Sequence, residues 1–239
     1  MAKLCPHGPL TRVADGIFCM SGDTRSLERP RRMTVFVLPS GELAIHSGIR
    51  LADAEMEVID SLGRVGYYLL VPNLHHDPDA AWFATRYPSA CFLAPSAEVE
   101  KFRQLVRVDG TLENDWPVEL AAVLEHHTVA GTRFTETAFF HLSSRTLVVV
   151  DSAFHMTEAC LKGRPFGRLF MKLNNAYARF GITRLTETLV NDPAALRKSL
   201  EQILTWDFDR VIVSHGENVE TDGKRLFRSG FPKYLPAVP

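Results

Sequence analysis

The apolar positions of this chain change period several times along its length, and each change marks a different kind of element. Residues 12–20, 33–38, 42–46 and 67–71 are short runs rich in β-branched and aromatic residues, with the length and composition of strands. Pro39-Ser40-Gly41 between the second and third is a turn signal, so those two predict an antiparallel hairpin. Leu51, Met56, Ile59 and Leu62 repeat at helical spacing and stop before Gly63, which predicts a helix over 51–62 with a glycine at its C-terminal cap. Residues 67–71 are apolar without a break, as in a buried strand, and Pro72-Asn73 ends them. A helix over 79–87, capped near Asp77 or Asp79, a strand over 91–93 and a helix over 97–106 follow. Residues 121–125, 136–142 and 146–150 read as strands, the last two joined through Ser143-Ser144-Arg145. Residues 164–206 are helix-rich, and Asn191-Asp192-Pro193 opens the clearest helix with an Asp N-cap and Pro at the first helical position. Residues 210–214 form a closing strand. Strands followed by helices thus occur twice, which two packed sheets with helices outside them would satisfy.

Composition narrows the class. At 239 residues, 46% apolar and 23% charged, the chain suits one large domain, 1–239, with a sizeable core. Lys plus Arg total 27 against 28 for Asp plus Glu, so no global field selects nucleic acid or an anionic membrane. The expected partner is a small-molecule substrate or ligand, with no nucleic acid and no membrane. Arg25, Arg29, Arg31 and Arg32 form a local basic run, broken by Glu28 and Pro30 and lacking aromatic residues, and are expected in a solvated loop. Residues 1–10 contain no apolar stretch, and no run approaches the roughly 20 apolar residues that cross a bilayer. Cys5, Cys19, Cys91 and Cys160 are scattered without a CxxC pair, so reduced thiols and a cytoplasmic location are expected. Cys5 and His7 share a short loop, but two donors do not make a metal site.

Three apolar runs end in metal-competent side chains. They are Leu69-Leu70-Val71-Pro72-Asn73-Leu74-His75-His76-Asp77, Val148-Val149-Val150-Asp151 and Val211-Ile212-Val213-Ser214-His215-Gly216. Singly, each is the ordinary residue of a turn or cap. Together they matter more, because strand ends along one sheet edge converge and imidazole and carboxylate are ligands for Zn²⁺, Fe and Mn²⁺.

Laid in order, these segments resemble the metallo-β-lactamase superfamily, and the resemblance runs from about Ile17 to about Gly216. The family's His-x-His-x-Asp-His motif falls on Asn73-Leu74-His75-His76-Asp77-Pro78, keeping the second His and the Asp. Its Gly-His turn resembles Ala130-Gly131-Thr132, with Thr132 at the His position. Its bridging carboxylate matches Asp151 and its final His matches His215, while His46 stands in the early strand where the family has Asp. Shorter phrases at 32–35, 41–47, 136–141, 144–147 and 206–210 resemble a domain-of-unknown-function branch of the same superfamily, which supplies no substrate.

The resemblance implies an α/β, four-layer αββα sandwich of two mixed, mainly antiparallel sheets. It implies a metal set of His75, Asp77, Asp151 and His215, with Asn73, His76, Thr132 and His155 lining the pocket. Only His75 remains of the three histidines that hold the family's first metal, so the implied cofactor is one Zn, Fe or Mn ion, or none. Two readings stand. One is a mononuclear metallohydrolase of an ester, thioester, lactone or phosphoester, with His75 or His76 swinging inward. The other is a non-catalytic binding or interaction module whose polar residues bond to one another. Other residues carry weaker expectations. His126 and His127 are adjacent on a strand and so face opposite ways. His141 and His155 lie near the proposed ligands in sequence. Arg164, Arg168, Lys172 and Arg179 are expected on a solvated face. Phe166, Leu169, Phe170, Leu173, Tyr177 and Phe180 are expected to form a core-facing stripe or to cover a pocket mouth.

Overall fold

The computed structural model describes residues 4, 6–23, 30–72, 76–163 and 165–236. The expectations placed on Cys5, Arg25, Arg29, Asn73, His75 and Arg164 lie outside the described residues. Two compact units divide the chain, Met1–Val123 and Leu124–Pro239.

The first unit is built on a seven-stranded sheet of β1 (Thr11–Ala14), β2 (Ile17–Asp23), β3 (Pro30–Val37), β4 (Leu43–His46), β5 (Val65–Leu69), β6 (Cys91–Ala94) and β7 (Gly110–Thr111), arranged in sequence order. From β1 to β4 the pairing is antiparallel, and the expected hairpin is present with Val37 opposite Leu43. From β4 to β7 it is parallel, because α1 (Asp53–Asp60), α2 (Ala80–Arg86) and α3 (Val99–Arg103) each carry the chain back between consecutive strands. The helix expected over 51–62 is shorter, but its apolar stripe buries Met56 and Ile59 as the spacing requires. Gly63 is needed for close approach as well as for a turn: a Cβ there would stand 2.0 Å from the carbonyl oxygen of Gly41. The core of this unit includes Val35, Ile45, Phe83 and Phe92, with the Tyr68 ring stacked on Phe92 at 4.8 Å. The strand expected at 121–125 begins only at Leu124. After Pro117, Val118–Ala121 forms the short helix α4, because the proline and its successors suit a first helical turn better than a strand edge.

The second unit contains β8 (Leu124–Val129), β9 (Glu136–His141), β10 (Thr146–Val149), β11 (Phe154–His155), β12 (Phe180–Gly181) and β13 (Arg210–Val213). Its main sheet has the order β13-β10-β9-β8, and β11 pairs with β12 in a small ribbon. The hairpins β8–β9 and β9–β10 are antiparallel. Strand β13 joins β10 in parallel, with Val149 opposite Val213, after the chain has passed through α5 (Pro165–Leu173), α6 (Arg184–Glu187) and α7 (Pro193–Ile203). A last helix, α8 (Gly223–Ser229), packs Phe227 among Phe180, Phe208 and Phe231.

Helix α7 starts where the sequence indicates. Asp192 accepts hydrogen bonds from the backbone N–H groups of Ala194 and Ala195, both at 3.0 Å, and Leu196, Leu200 and Ile203 form the buried stripe. Replacing Asp192 with Ala is expected to lower unfolding free energy by about 1 kcal/mol, measurable as a shift in the urea midpoint at unchanged slope. The stripe expected to face the core from α5 is a second correction: Phe166, Leu169, Phe170 and Leu173 are exposed, and Met171 is the buried residue of the helix.

Among the described residues no helix is long and apolar enough to cross a membrane, and Cys19, Cys91 and Cys160 form no disulfide.

Candidate functional site

Sheet register explains the chemistry of the second unit. Because β10 and β13 run in parallel with Val149 beside Val213, the residues two positions beyond each strand also come side by side. These are Asp151 and His215, and the Asp151 Oδ1 atom stands 3.3 Å from His215 Nε2. The Asp151 side chain is 13% exposed and that of His215 3%.

Both are held from behind. Glu136, at the start of β9, lies fully inside and turns its carboxylate onto the bend after β10. Its Oε1 accepts from Val150 N and Ser152 Oγ, and its Oε2 from Asp151 N and Ser152 N, at 2.6 to 2.8 Å. Burial pushes the Glu136 carboxyl up to about 7, against the opposing pull of those donors. The His215 ring stacks on Phe154, centroids 4.9 Å apart and planes within 11°. Gly216 follows with φ +115°, and a Cβ there would lie 2.0 Å from the His155 carbonyl oxygen, so only glycine lets β11 approach the loop. The backbone N–H of His155 donates to the His215 carbonyl at 3.0 Å, and its ring Nδ1–H donates to the carbonyl of Glu217 at 2.9 Å.

The first unit organises the other part of the motif. Arg31 of β3, 1% exposed, donates to the Gly48 and His76 carbonyls at 2.7 and 2.6 Å and forms an ion pair with Asp79 at 2.7 Å. This corrects the solvated-loop expectation for that residue: a partner far along the chain draws it into the interior. Ser47 Oγ adds a second donor to the His76 carbonyl at 3.0 Å. Asp77 Oδ1 accepts from the Tyr68 hydroxyl and Oδ2 from Val71 N at 3.1 Å. Burial raises the Asp77 carboxyl to about 7, partly countered by those donors and by Arg31. His76 is fully buried, and His46 at the end of β4 is lowered to about 3 by burial and by the neighbouring His76 ring, so His46 is neutral at pH 7.

Of the residues singled out from sequence, then, Asp151 and His215 are brought together, with the backbone of His155 beside them. The Asp77 carboxylate is engaged by Tyr68 and Val71. The Thr132 hydroxyl donates to Phe134 O within its own loop. His141 sits opposite Thr146, at the end of β10 remote from Asp151, and its Nδ1 is 2.7 Å from Ser144 Oγ. His126 and His127 pair with Phe139 and Ala138 on β9, on alternating faces. Sequence reasoning passed over Glu136 and Phe154, and placed Arg31 in a solvated loop. The one available signal for Glu136 was a lone carboxylate leading a strand-like run.

No protein-family model and no curated protein matches this sequence. Solved structures do match in three dimensions. A DIM-1 metallo-β-lactamase exposed to ceftazidime aligns over 94% of this chain and 98% of its own, with TM-score 0.61 and 14% identity. A metallo-β-lactamase from Pontibacter korlensis aligns over 91% and 94%, with TM-score 0.58 and 10% identity. The chemotaxis sensor ODP, described with a peroxy diiron species, aligns over 97% and 94%, with TM-score 0.59 and 12% identity. The chain therefore has the metallo-β-lactamase fold, with two main mixed sheets and flanking helices.

Proposed function

We propose that this protein binds one metal ion through Asp151 and His215 and hydrolyses an ester-type bond: an ester, thioester, lactone or phosphoester. The carrying observation is the 3.3 Å approach of Asp151 Oδ1 to His215 Nε2 in a fold whose solved neighbours include metallo-β-lactamases. Each of the two side chains offers one ligand atom, an imidazole nitrogen and a carboxylate oxygen. Imidazole and carboxylate are ligand types that Zn²⁺ and Fe²⁺ both accept. Asp77 takes a positioning part in this reading, because its two oxygens already accept from Tyr68 and Val71. His75 and His76 stand as candidate further donors.

Asp151 and His215 would hold a divalent ion whose Lewis acidity would serve the carbonyl or phosphoryl oxygen of the substrate. The chain's own residues do the rest. Glu136 fixes the backbone from Val150 to Ser152 and so aims the Asp151 carboxylate. Phe154 holds the plane of the His215 ring. Arg31 and Ser47 fix the His76 carbonyl and with it the backbone that carries the ring.

Metal analysis of protein purified without added metal tests this. The expected content is about one zinc, iron or manganese per chain, falling below about one tenth in Asp151→Ala with the circular dichroism spectrum retained. Wild-type protein that stays metal-free after incubation with each ion sinks the proposal and favours the non-catalytic binding module. Chelation of the loaded protein is expected to abolish hydrolysis of chromogenic esters.

A further inference from the structure

Helix α5 presents an apolar ridge to solvent. Phe166, Leu169, Phe170 and Leu173 recur at helical spacing and are 87, 56, 38 and 64% exposed, whereas Met171 on the opposite side is 6% exposed. The helix is seated by a small cluster of its own, Met156, Leu161, Met171 and Ala176, separate from the main core of its unit. Charge indicates what the ridge meets. From Ala159 to Thr186 the sequence has six Lys and Arg and no Asp or Glu, in a chain of formal net charge −1. Arg168 and Lys172 flank the ridge, each over the Tyr177 ring at 5.1 and 5.0 Å, and Glu158 approaches Arg168 only to 3.9 Å.

We propose that α5 seats this protein on an anionic lipid surface, with Phe166, Leu169, Phe170 and Leu173 entering the interface and the flanking cations at headgroup level. Apolar side chains beside a cationic border are the pattern of a helix that lies in a membrane interface. A second copy is a poorer occupant, because a contact across this face would bring the Arg168 and Lys172 of both copies into one interface. A peptide is also poorer, because helix and strand ligands dock into grooves or along sheet edges, whereas this is a ridge. The expectation of no membrane partner rested on global charge balance, which hides the local concentration of cations.

Flotation of the full chain with vesicles of phosphatidylcholine containing about 30 mol% phosphatidylglycerol, against phosphatidylcholine alone, tests the proposal. Partition is expected to be at least about tenfold stronger on the anionic vesicles, with most of that difference lost at about 0.5 M salt. The variants Phe166→Ser/Leu169→Ser and Arg168→Glu/Lys172→Glu are each expected to weaken it at least about tenfold, with thermal unfolding nearly unchanged because the positions are exposed. No flotation with anionic vesicles, or flotation that both variants leave intact, overturns the proposal. So does sedimentation velocity showing a dimer that Phe166→Ser/Leu169→Ser dissolves, without vesicle binding.

Discussion

Arg31→Met is expected to be the most destabilising single change outside the hydrophobic core, lowering unfolding free energy by about 3–5 kcal/mol. The guanidinium is 1% exposed and its partner Asp79 5%. Removing the cation leaves a buried carboxylate that has lost its paired charge, with the Arg50 N–H at 3.2 Å among its remaining contacts. The carbonyls of Gly48 and His76 lose a charged donor at the same time. Methionine keeps most of the volume, so the loss reports electrostatics and hydrogen bonding more than a cavity. The double variant Arg31→Met/Asp79→Leu is expected to recover part of the deficit, since replacing a whole buried ion pair costs less than halving it. Urea unfolding of the three proteins decides the matter. A loss under about 1 kcal/mol in Arg31→Met would show that the pair is not isolated from water as its burial indicates.

The second large effect is expected at Glu136. Its carboxylate accepts four hydrogen bonds, three of them from consecutive backbone N–H groups at Val150, Asp151 and Ser152. Glu136→Gln retains the shape but offers one oxygen where two are needed, so an amide N–H must face a donor. The expected cost is about 2–3 kcal/mol of stability. On the proposed function, the displaced Asp151 should also weaken zinc binding by about 10–100-fold in a competition titration. The two readouts separate the claims. Lost stability with unchanged zinc affinity would leave Glu136 as a structural clamp alone, and unchanged stability would contradict the geometry at the bend.

Elements set by local chemistry were legible in the sequence. Pro39-Ser40-Gly41 sets a hairpin within a few residues, and Asp192-Pro193 satisfies the first N–H groups of its own helix. Misreadings occurred where distant partners decide. A helical period establishes that Phe166, Leu169, Phe170 and Leu173 share a face, but it cannot say whether that face meets protein or solvent. Arg31 belongs to a run of arginines in sequence and to Asp79, 48 residues away, in space. The candidate site divides in the same way. Asp151 and His215 were recognisable because each directly follows a strand-like run, whereas the Glu136 carboxylate beneath them depends on the pairing of β9 with β10 and left almost no trace in the sequence.

The place of β13 in its sheet affects how this protein is made. Strand β10 emerges from the ribosome well before its outer neighbour, because α5, α6 and α7 must be synthesised in between. Until then the backbone of Thr146–Val149, an apolar stretch, lies on an open margin that can recruit strands from other nascent chains. Chains that stop short of Arg210 would keep that margin permanently, and would be expected to accumulate in the insoluble fraction of a cell.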